Sequence, residues 1–255
     1  MNVFADYSEY YDLLYRDKDY GSESDFVVRV IEKHRPRTAS ILDLGCGTGN
    51  HDFLISQKGY EVCGVDLSSG MISRASKKRS APQAAQLRIS FNQGDIRTVR
   101  LGRTYDAVIS LFHVMSYQTT DSDLQAAIAT ATQHMKKDGI FIFDCWYGPA
   151  VLTDRPSVRV KRLENEHIEV TRIAEPVLHP DRNLVDVNYH VFIKEKSTGS
   201  MRELKETHQM RYLFRPEIEN MMRRAGLELV CMKAWLTDEE PGFNTWSVYF
   251  VGRYA

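Results

Sequence analysis

The spacing of apolar positions along this chain changes twice, and each change predicts a different kind of element. From Ser40 to Leu111, short apolar runs alternate with stretches of helical spacing. Ile41, Leu42 and Leu44 form one run, Val62 to Val65 a second, Leu87 to Phe91 a third and Tyr105 to Leu111 a fourth. Such runs read as buried strands of a parallel sheet. Between them, His51 to Lys58 predicts a helix with Phe53, Leu54 and Ile55 facing inward. Leu67 to Ala75 predicts another, with Ser68 as N-cap and Met71 and Ala75 inward at i and i+4. Residues 80–86 read as a loop. Residues 121–136 predict a helix closed by Gly139 as its C′ residue, and Gly139 to Cys145 predicts the fifth strand. Residues 22–35 read as an earlier scaffold helix capped by Ser22 or Ser24.

From about residue 156 the period falls to two. Ser157–Leu163, His167–Glu175, Leu184–Lys194 and Met201–Tyr212 read as an antiparallel meander with one covered face. Asp181-Arg182-Asn183 and Ser197-Thr198-Gly199-Ser200 supply turns. Helical spacing resumes from Arg215 to Ala225, with Gly226 as C′ residue, and two strands follow at Glu228–Ala234 and Thr245–Gly252. The pattern predicts an α/β core, residues 1–155 and 213–255, interrupted by an inserted antiparallel sheet at 156–212.

The first strand runs straight into Gly45-Cys46-Gly47-Thr48-Gly49, and a helix follows at once. Glycines there let backbone approach a ligand, and the helix N-terminus favours an anionic group. The second strand ends in Asp66, an acid placed to accept two hydrogen bonds from ribose hydroxyls. Strand, glycine turn, helix, strand and acid describe a nucleoside-binding βαβ unit. The spacing is D-x-G-x-G-x-G, with Asp43 two residues before Gly45, and a third acid follows at Gly94-Asp95-Ile96. That differs from the G-x-G-x-x-G of dinucleotide-binding folds.

Length, charge and cysteines narrow the reading. The 255 residues suffice for one full core. A formal net charge of −1 offers no broad electrostatic case for nucleic acid or an anionic membrane surface. No apolar run approaches the roughly 20 residues that span a bilayer. Cys46, Cys63, Cys145 and Cys231 form no C-x-x-C pair and read as reduced thiols of a cytoplasmic protein. The acidic, aromatic N-terminus does not suit a signal peptide.

Asp43, the three glycines, Asp66 and Asp95 in register resemble motif I and its sequel in the class I S-adenosylmethionine-dependent methyltransferases. The resemblance implies a Rossmann-like fold: a seven-stranded, mostly parallel sheet with an antiparallel last strand, here with an inserted antiparallel β-meander. It implies S-adenosylmethionine on Gly45, Cys46, Gly47, Asp66, Leu67, Met71, Gly94, Asp95 and Ile96. Leu67 and Met71 would lie against the adenine and Asp95 would bond its amino group. The N-terminal tyrosines (Tyr7, Tyr10, Tyr11, Tyr15) read as a lid, with Tyr11 over the cofactor, and Leu111 and Phe112 continue the wall. The YDLLY segment, the loop after the fourth strand and the insert together look like the N-methyltransferases of nucleotide-linked amino sugars, and more distantly like glycine N-methyltransferase.

The loop Phe112-His113-Val114-Met115-Ser116-Tyr117 falls at the carboxyl end of the fourth strand, where chemistry sits in open parallel sheets. His113 is the leading candidate for proton acceptor, because imidazole titrates near neutrality. Tyr117 reads as a wall or positioning hydroxyl, and His208 on the insert as a second candidate base. Tyr11, Phe112, Tyr117 and Trp146 offer faces for a cation. No acid lies at 111–116, so no metal is expected. The expected acceptor is a small-molecule amine, with Arg155, Arg159, Lys161, Arg172, Arg182, Arg211 and Arg215 as candidates for a diphosphate and a homodimer built through the insert. A free small molecule methylated on N or O is the alternative, and a non-catalytic cofactor-binding subunit a distant one.

Overall fold

The computed structural model describes residues 11–254. Tyr7 and Tyr10 of the expected lid therefore lie outside the described residues. Helix α1 (Tyr20–His34) leads into β1 (Ser40–Leu44), then α2 (Asn50–Gln57), β2 (Glu61–Asp66), α3 (Ser69–Arg79), β3 (Ile89–Gln93) and β4 (Tyr105–Ser110). A 3₁₀ turn (Val114–Tyr117), α4 (Asp121–Gln133), β5 (Met135–Trp146) and the short α5 (Gly148–Thr153) follow. Strands β6 (Arg159–Glu164), β7 (Ile168–His179), β8 (Leu184–Glu195) and β9 (Met201–Arg211) form the insert. Helix α6 (Arg215–Arg224), β10 (Leu227–Ala234) and β11 (Ser247–Tyr254) complete the core.

The main sheet has the order β10-β11-β5-β4-β1-β2-β3. β1 pairs in parallel with both β2 and β4, while β11 runs antiparallel to β5 and to β10. The chain thus winds outward from β1 and returns to β4 on its other side. That reversal opens a crevice beyond the carboxyl ends of β1 and β4, where Gly45 and Phe112 begin their loops.

Helices cover both faces, so strand residues of either parity are buried. Leu42, Leu44, Phe141 and Phe143 pack toward α4 and α6; Ile41, Ile140 and Ile142 pack toward α1 and α2. This two-sided cover is why β1 reads as a continuous apolar run with a single acid, Asp43, inside it. Asp43 meets the fully buried Asp52 of α2 on that second face.

Several element ends move from their predicted places. Asp19, not Ser22 or Ser24, caps α1, accepting from the Ser22 amide at 2.9 Å. In α2 the buried positions are His51, Asp52, Ile55 and Ser56, whereas Phe53 and Leu54 are only half-buried. Helix α4 ends at Gln133 with His134 as C-cap, and Gly139 belongs to β5. A Cβ at Gly139 would stand 2.7 Å from the Lys136 carbonyl oxygen, so the glycine serves a close backbone approach rather than a helix end. Ser68 does cap α3, accepting from the Met71 amide, and Gly226 follows α6 with φ of 80°.

The insert is a four-stranded antiparallel sheet in the order β6-β7-β8-β9. Asn183, with φ of 55°, turns β7 into β8, and Gly199, with φ of 72°, turns β8 into β9. The insert leaves and rejoins the core at one point. The Leu213 amide donates to the Trp146 carbonyl, and the Gly148 amide to the Leu213 carbonyl, both at 2.9 Å. Its covered face packs in two patches. Val170, Val191 and Ile193 meet Leu14 and Met71, and Val185, Val187 and Met210 meet Tyr117 and Trp146. The sheet therefore closes over the crevice of the core.

Candidate active site

A cavity of about 560 Å³ lies between the carboxyl ends of β1, β2 and β4, the N-terminal segment and the underside of the insert. Its floor is the glycine loop. Gly45, Gly47 and Gly49 all have positive φ, which L side chains rarely adopt. A Cβ at Gly45 would stand 2.5 Å from the Val114 side chain, so that glycine lets two loops touch. At Gly47 a Cβ would meet only the Tyr11 hydroxyl at 4.0 Å, so that glycine leaves the cavity open. Asp66 closes one side. Its carboxylate accepts from the Gly47 amide at 2.9 Å and the Ser68 amide at 2.8 Å, which fixes its orientation. Burial raises its pKa and these two amides oppose the rise.

Leu67 stands 50 % exposed against the same space, with Met71 and Ile96 buried around it. An exposed leucine flanked by buried apolar side chains fits a flat heterocycle that covers it. Asp95 lines the cavity, clamped by Arg97, whose Nε and Nη2 donate to the carboxylate at 2.9 and 2.6 Å. The guanidinium holds its pKa below the usual carboxylate range. Arg97 also reaches Asp123 of α4 at 2.8 Å. Cys46, Leu111 and Phe112 line the cavity as expected. Burial pushes the Cys46 thiol up, so it is an inert wall rather than a nucleophile. Gly94 does not reach the cavity: its amide donates to the Asp66 carbonyl, and a Cβ there would stand 2.9 Å from Val99 and 3.3 Å from Val65.

The N-terminal segment forms the near wall. Residues 11–14 are helical, Leu14 is fully buried, and Tyr11 and Tyr15 stand with ring centroids 4.9 Å apart. The segment is tied to the glycine loop through Asp12. Its carboxylate accepts from Thr48 Oγ1 at 2.7 Å and from Lys78 Nζ at 3.1 Å, and Lys78 also donates to Asn50.

The far end of the cavity is aromatic and polar. His113 follows Phe112, and both have left-handed φ, 63° and 64°. Two consecutive non-glycine residues in that region store strain, which the surroundings must hold. Asp144 holds it. This fully buried acid on β5 accepts from the His113 amide through both oxygens at 3.2 Å, and His113 Nδ1 stands 2.6 Å from Asp144 Oδ2, off the hydrogen-bond line. That leaves Nε2 as the ring nitrogen not turned to the acid. Tyr117 donates to or accepts from His208 Nδ1 at 2.8 Å, and Trp146, Tyr189, Val187, Met210 and Arg159 complete the wall.

The structure thus brings together every expected cofactor residue except Gly94, and both expected catalytic residues. It adds Asp144, Arg97 and Asp52, which sequence reading missed. Asp144 sits inside an apolar strand pattern, beside Cys145. A lone acid in a run such as Ile140 to Cys145 is the signal that was available. Of the seven basic residues expected to serve a diphosphate, Arg159 alone lines the cavity. Arg211 is taken by Asp121 and Glu217, and Lys161 donates to the Leu14 carbonyl.

The sheet order and the cavity at its switch point are those of the class I methyltransferase fold, and comparison agrees with that fold. A family model described as a methyltransferase domain matches residues 41–139. The chain is 29 % identical over 88 % of its length, and 91 % of the other, to the dTDP-3-amino-3,4,6-trideoxy-α-D-glucopyranose N,N-dimethyltransferase of Streptomyces venezuelae. The fold matches a solved S-adenosylmethionine-dependent methyltransferase from Clostridium acetobutylicum with a TM-score of 0.81, at 21 % identity and 96 % coverage of both chains. It matches the solved DesVI of Streptomyces venezuelae with a TM-score of 0.79, at 25 % identity and 98 % coverage of both. This chain is an S-adenosylmethionine-dependent methyltransferase.

The residues present fit that cofactor. The open side of Gly47, the half-exposed Leu67 and the oriented Asp66 provide room, an apolar shelf and a hydroxyl acceptor. When bound, S-adenosylmethionine supplies the electrophilic methyl of a sulfonium. Among the described residues, no three His, Cys, Asp or Glu side chains group as metal ligands, and no helix is long and apolar enough to cross a membrane.

Proposed function

We propose that the acceptor is an amine, carried on a nucleotide-linked sugar, that enters beneath the insert and meets His113 and Tyr117. One observation carries the reading. The cavity continues past the cofactor half into a chamber walled by Tyr15, Tyr117, Trp146 and Tyr189, with Arg159 among its lining residues. Flat amphipathic rings suit a sugar or base, and an arginine suits a diphosphate. The acceptors in the names of the relatives, amino sugars on dTDP, agree with it.

The chain's own residues then do three things. The aromatic walls exclude water and align the amine, and alignment supplies much of the rate in an in-line displacement. The rings hold cationic groups by cation–π attraction, of order 1 kcal/mol. His113 Nε2 accepts a proton from the amine, with Asp144 behind Nδ1. The test is kcat/KM, by product mass, for dTDP-3-amino-3,6-dideoxyglucose against its free amino sugar and against glycine. The nucleotide-linked substrate is expected to lead by at least tenfold, and Arg159→Ala to erase most of that lead. Equal efficiency for the free sugar or for glycine overturns the reading.

The insert also supports an assembly. Both β6 and β9 lack an outer partner among the described residues, and Val160, Val177 and Met201 are about half exposed or more, at 50 %, 48 % and 67 %. Edges of this kind are usually covered. A symmetric homodimer through the insert follows, and light scattering at micromolar concentration is expected to give twice the chain mass. A monomer there removes it. The four free cysteines suit a reducing compartment, which supports a cytoplasmic location.

A further inference from the structure

Behind the aromatic wall lies a second set of acid–base groups. Tyr117 Oη stands 2.8 Å from His208 Nδ1. His208 Nε2 stands 3.5 Å from Glu206 Oε2, on the same strand, β9. The two groups behind Tyr117 are shielded: His208 is 2 % exposed, and its side chain and that of Glu206 are 1 % and 8 % exposed. Tyr117 lines the cavity, but His208 and Glu206 do not. A hydroxyl in the cavity is therefore wired to an imidazole and a carboxylate outside it.

The groups around the chain are specific. Tyr189 of β8 packs edge-on against His208 with ring centroids 4.9 Å apart, and Arg172 of β7 lies 4.7 Å over the Tyr189 ring. Tyr15 and Tyr11 face the same space from the N-terminal segment. Within this group only Glu206 carries negative charge and only Arg172 fixed positive charge, so an imidazolium at His208 would face the carboxylate directly.

We propose that Tyr117 accepts a hydrogen bond from the acceptor amine and passes its own proton to His208, giving the reaction a proton route out of the cavity beside His113. This rests on methyl transfer to an amine. The step balances. The amine nitrogen gains a bond to the methyl carbon as the carbon–sulfur bond breaks and leaves a neutral thioether. The nitrogen's proton moves to Tyr117 Oη, the Tyr117 proton moves to His208 Nδ1, and His208, neutral before the step with its proton on Nε2, becomes an imidazolium opposite Glu206. Burial raises the Tyr117 pKa well above its ordinary value, so the hydroxyl relays a proton without ionising on its own. A charge left on His113 would share the cavity with the sulfonium site; a charge on His208 sits behind the wall. Tyr117 is the group that touches substrate, and His208 and Glu206 act through it.

Two measurements decide it. The first needs no acceptor. Nitrogen NMR of the histidine rings, on the protein with S-adenosylhomocysteine, is expected to show His208 near neutral pH with Nδ1 unprotonated and Nε2 protonated. A proton on Nδ1 overturns the route. The second uses whichever amine, nucleotide-linked or free, the wild-type chain methylates fastest, so failure of the amino-sugar reading leaves it standing. His208→Gln is expected to lower kcat about tenfold with KM within threefold, because His113 Nε2 remains as the other proton acceptor. Glu206→Gln is expected to lower kcat several-fold with KM within threefold and with the proton still on His208 Nε2 in the same nitrogen spectra, a split that loss of packing does not produce. A kcat within twofold of wild type in either variant overturns the proposal.

Discussion

Replacing Asp66 by alanine is expected to weaken S-adenosylmethionine binding by about 2–4 kcal/mol, roughly 30- to 1000-fold in Kd, measured by calorimetry. The acid sits at the tip of β2 with two backbone amides pinning it at the edge of the cavity, where its remaining lone pairs are available to ligand hydroxyls. Both ribose hydroxyls would donate to one ionised group, and charged acceptors make the stronger hydrogen bonds. The two amides lose their acceptor as well, which loosens Gly47 under the cofactor. Unchanged affinity would remove Asp66 from the site. Asp66→Asn separates the effects: its one carboxamide oxygen keeps an acceptor for one of the two amides, which bond to different oxygens in the acid, and gives up the charge, so its affinity falls between wild type and alanine.

Asp52→Asn is expected to stabilise the protein above neutral pH, on the order of 4 kcal/mol at most. Asp43 and Asp52 are both buried, at 2 % and 0 % exposure, and Asp43 Oδ1 and both Asp52 oxygens have no donor among the described residues. With both carboxyls ionised these oxygens would be orphaned; one shared proton joins an Asp43 oxygen to an Asp52 oxygen and removes one of the two buried charges. Burial first, and then the neighbouring acid, raises Asp43, while burial raises Asp52 from 3.8 to about 7. A carboxyl whose pKa is raised by folding contributes most at low pH. Between about pH 4 and 7 the unfolded chain has released a proton that the folded chain keeps, so stability falls as pH rises through that window. In the variant, the new side-chain amide would donate to Asp43 and remove most of the slope. Urea midpoints at pH 5 and pH 8 check it: wild type should lose stability between them and the variant should lose little. Equal slopes in the two proteins would show that the pair shares no proton.

These expectations differ in how early they could be drawn. Asp66 was legible because its role follows from its place: an acid at the end of the second strand, a helix after a glycine turn. Asp52 was not. Helical spacing placed Phe53, Leu54 and Ile55 inward, yet the burial of α2 is centred on His51, Asp52, Ile55 and Ser56. The reason is the face on which α2 packs. It turns toward Asp43 and Gly64, where a Cβ on Gly64 would stand 2.6 Å from Asp52 Oδ2, and no pattern within one helix reveals that partner. Helix ends shifted for a similar cause. Gly139 carries a C′ signature, but the backbone of β5 passes close to Lys136 and needs the missing side chain inside a strand.

By itself the sequence determined the local chemistry: which runs are strands, where glycine lets the backbone turn, which acids end strands, and where the period changes from core to insert. Those depend on neighbours within a few residues, which is the range of propensity, capping and periodicity. The tertiary structure decided the pairings between distant segments. It set Asp144 of β5 under His113, Arg97 across Asp95 to Asp123, and Asp12 against Thr48 and Lys78. It laid the insert over the cavity so that His208 meets Tyr117, 91 residues apart in the chain. Such contacts bring together groups whose spacing in sequence carries no period, and only packing of the sheets and helices selects them. The cofactor half of the site, built from one βαβ unit, could be read from local order; the acceptor half, built from the β4 loop, β5, the N-terminal segment and the insert, could be read only in part, because its geometry comes from how those pieces close on one another.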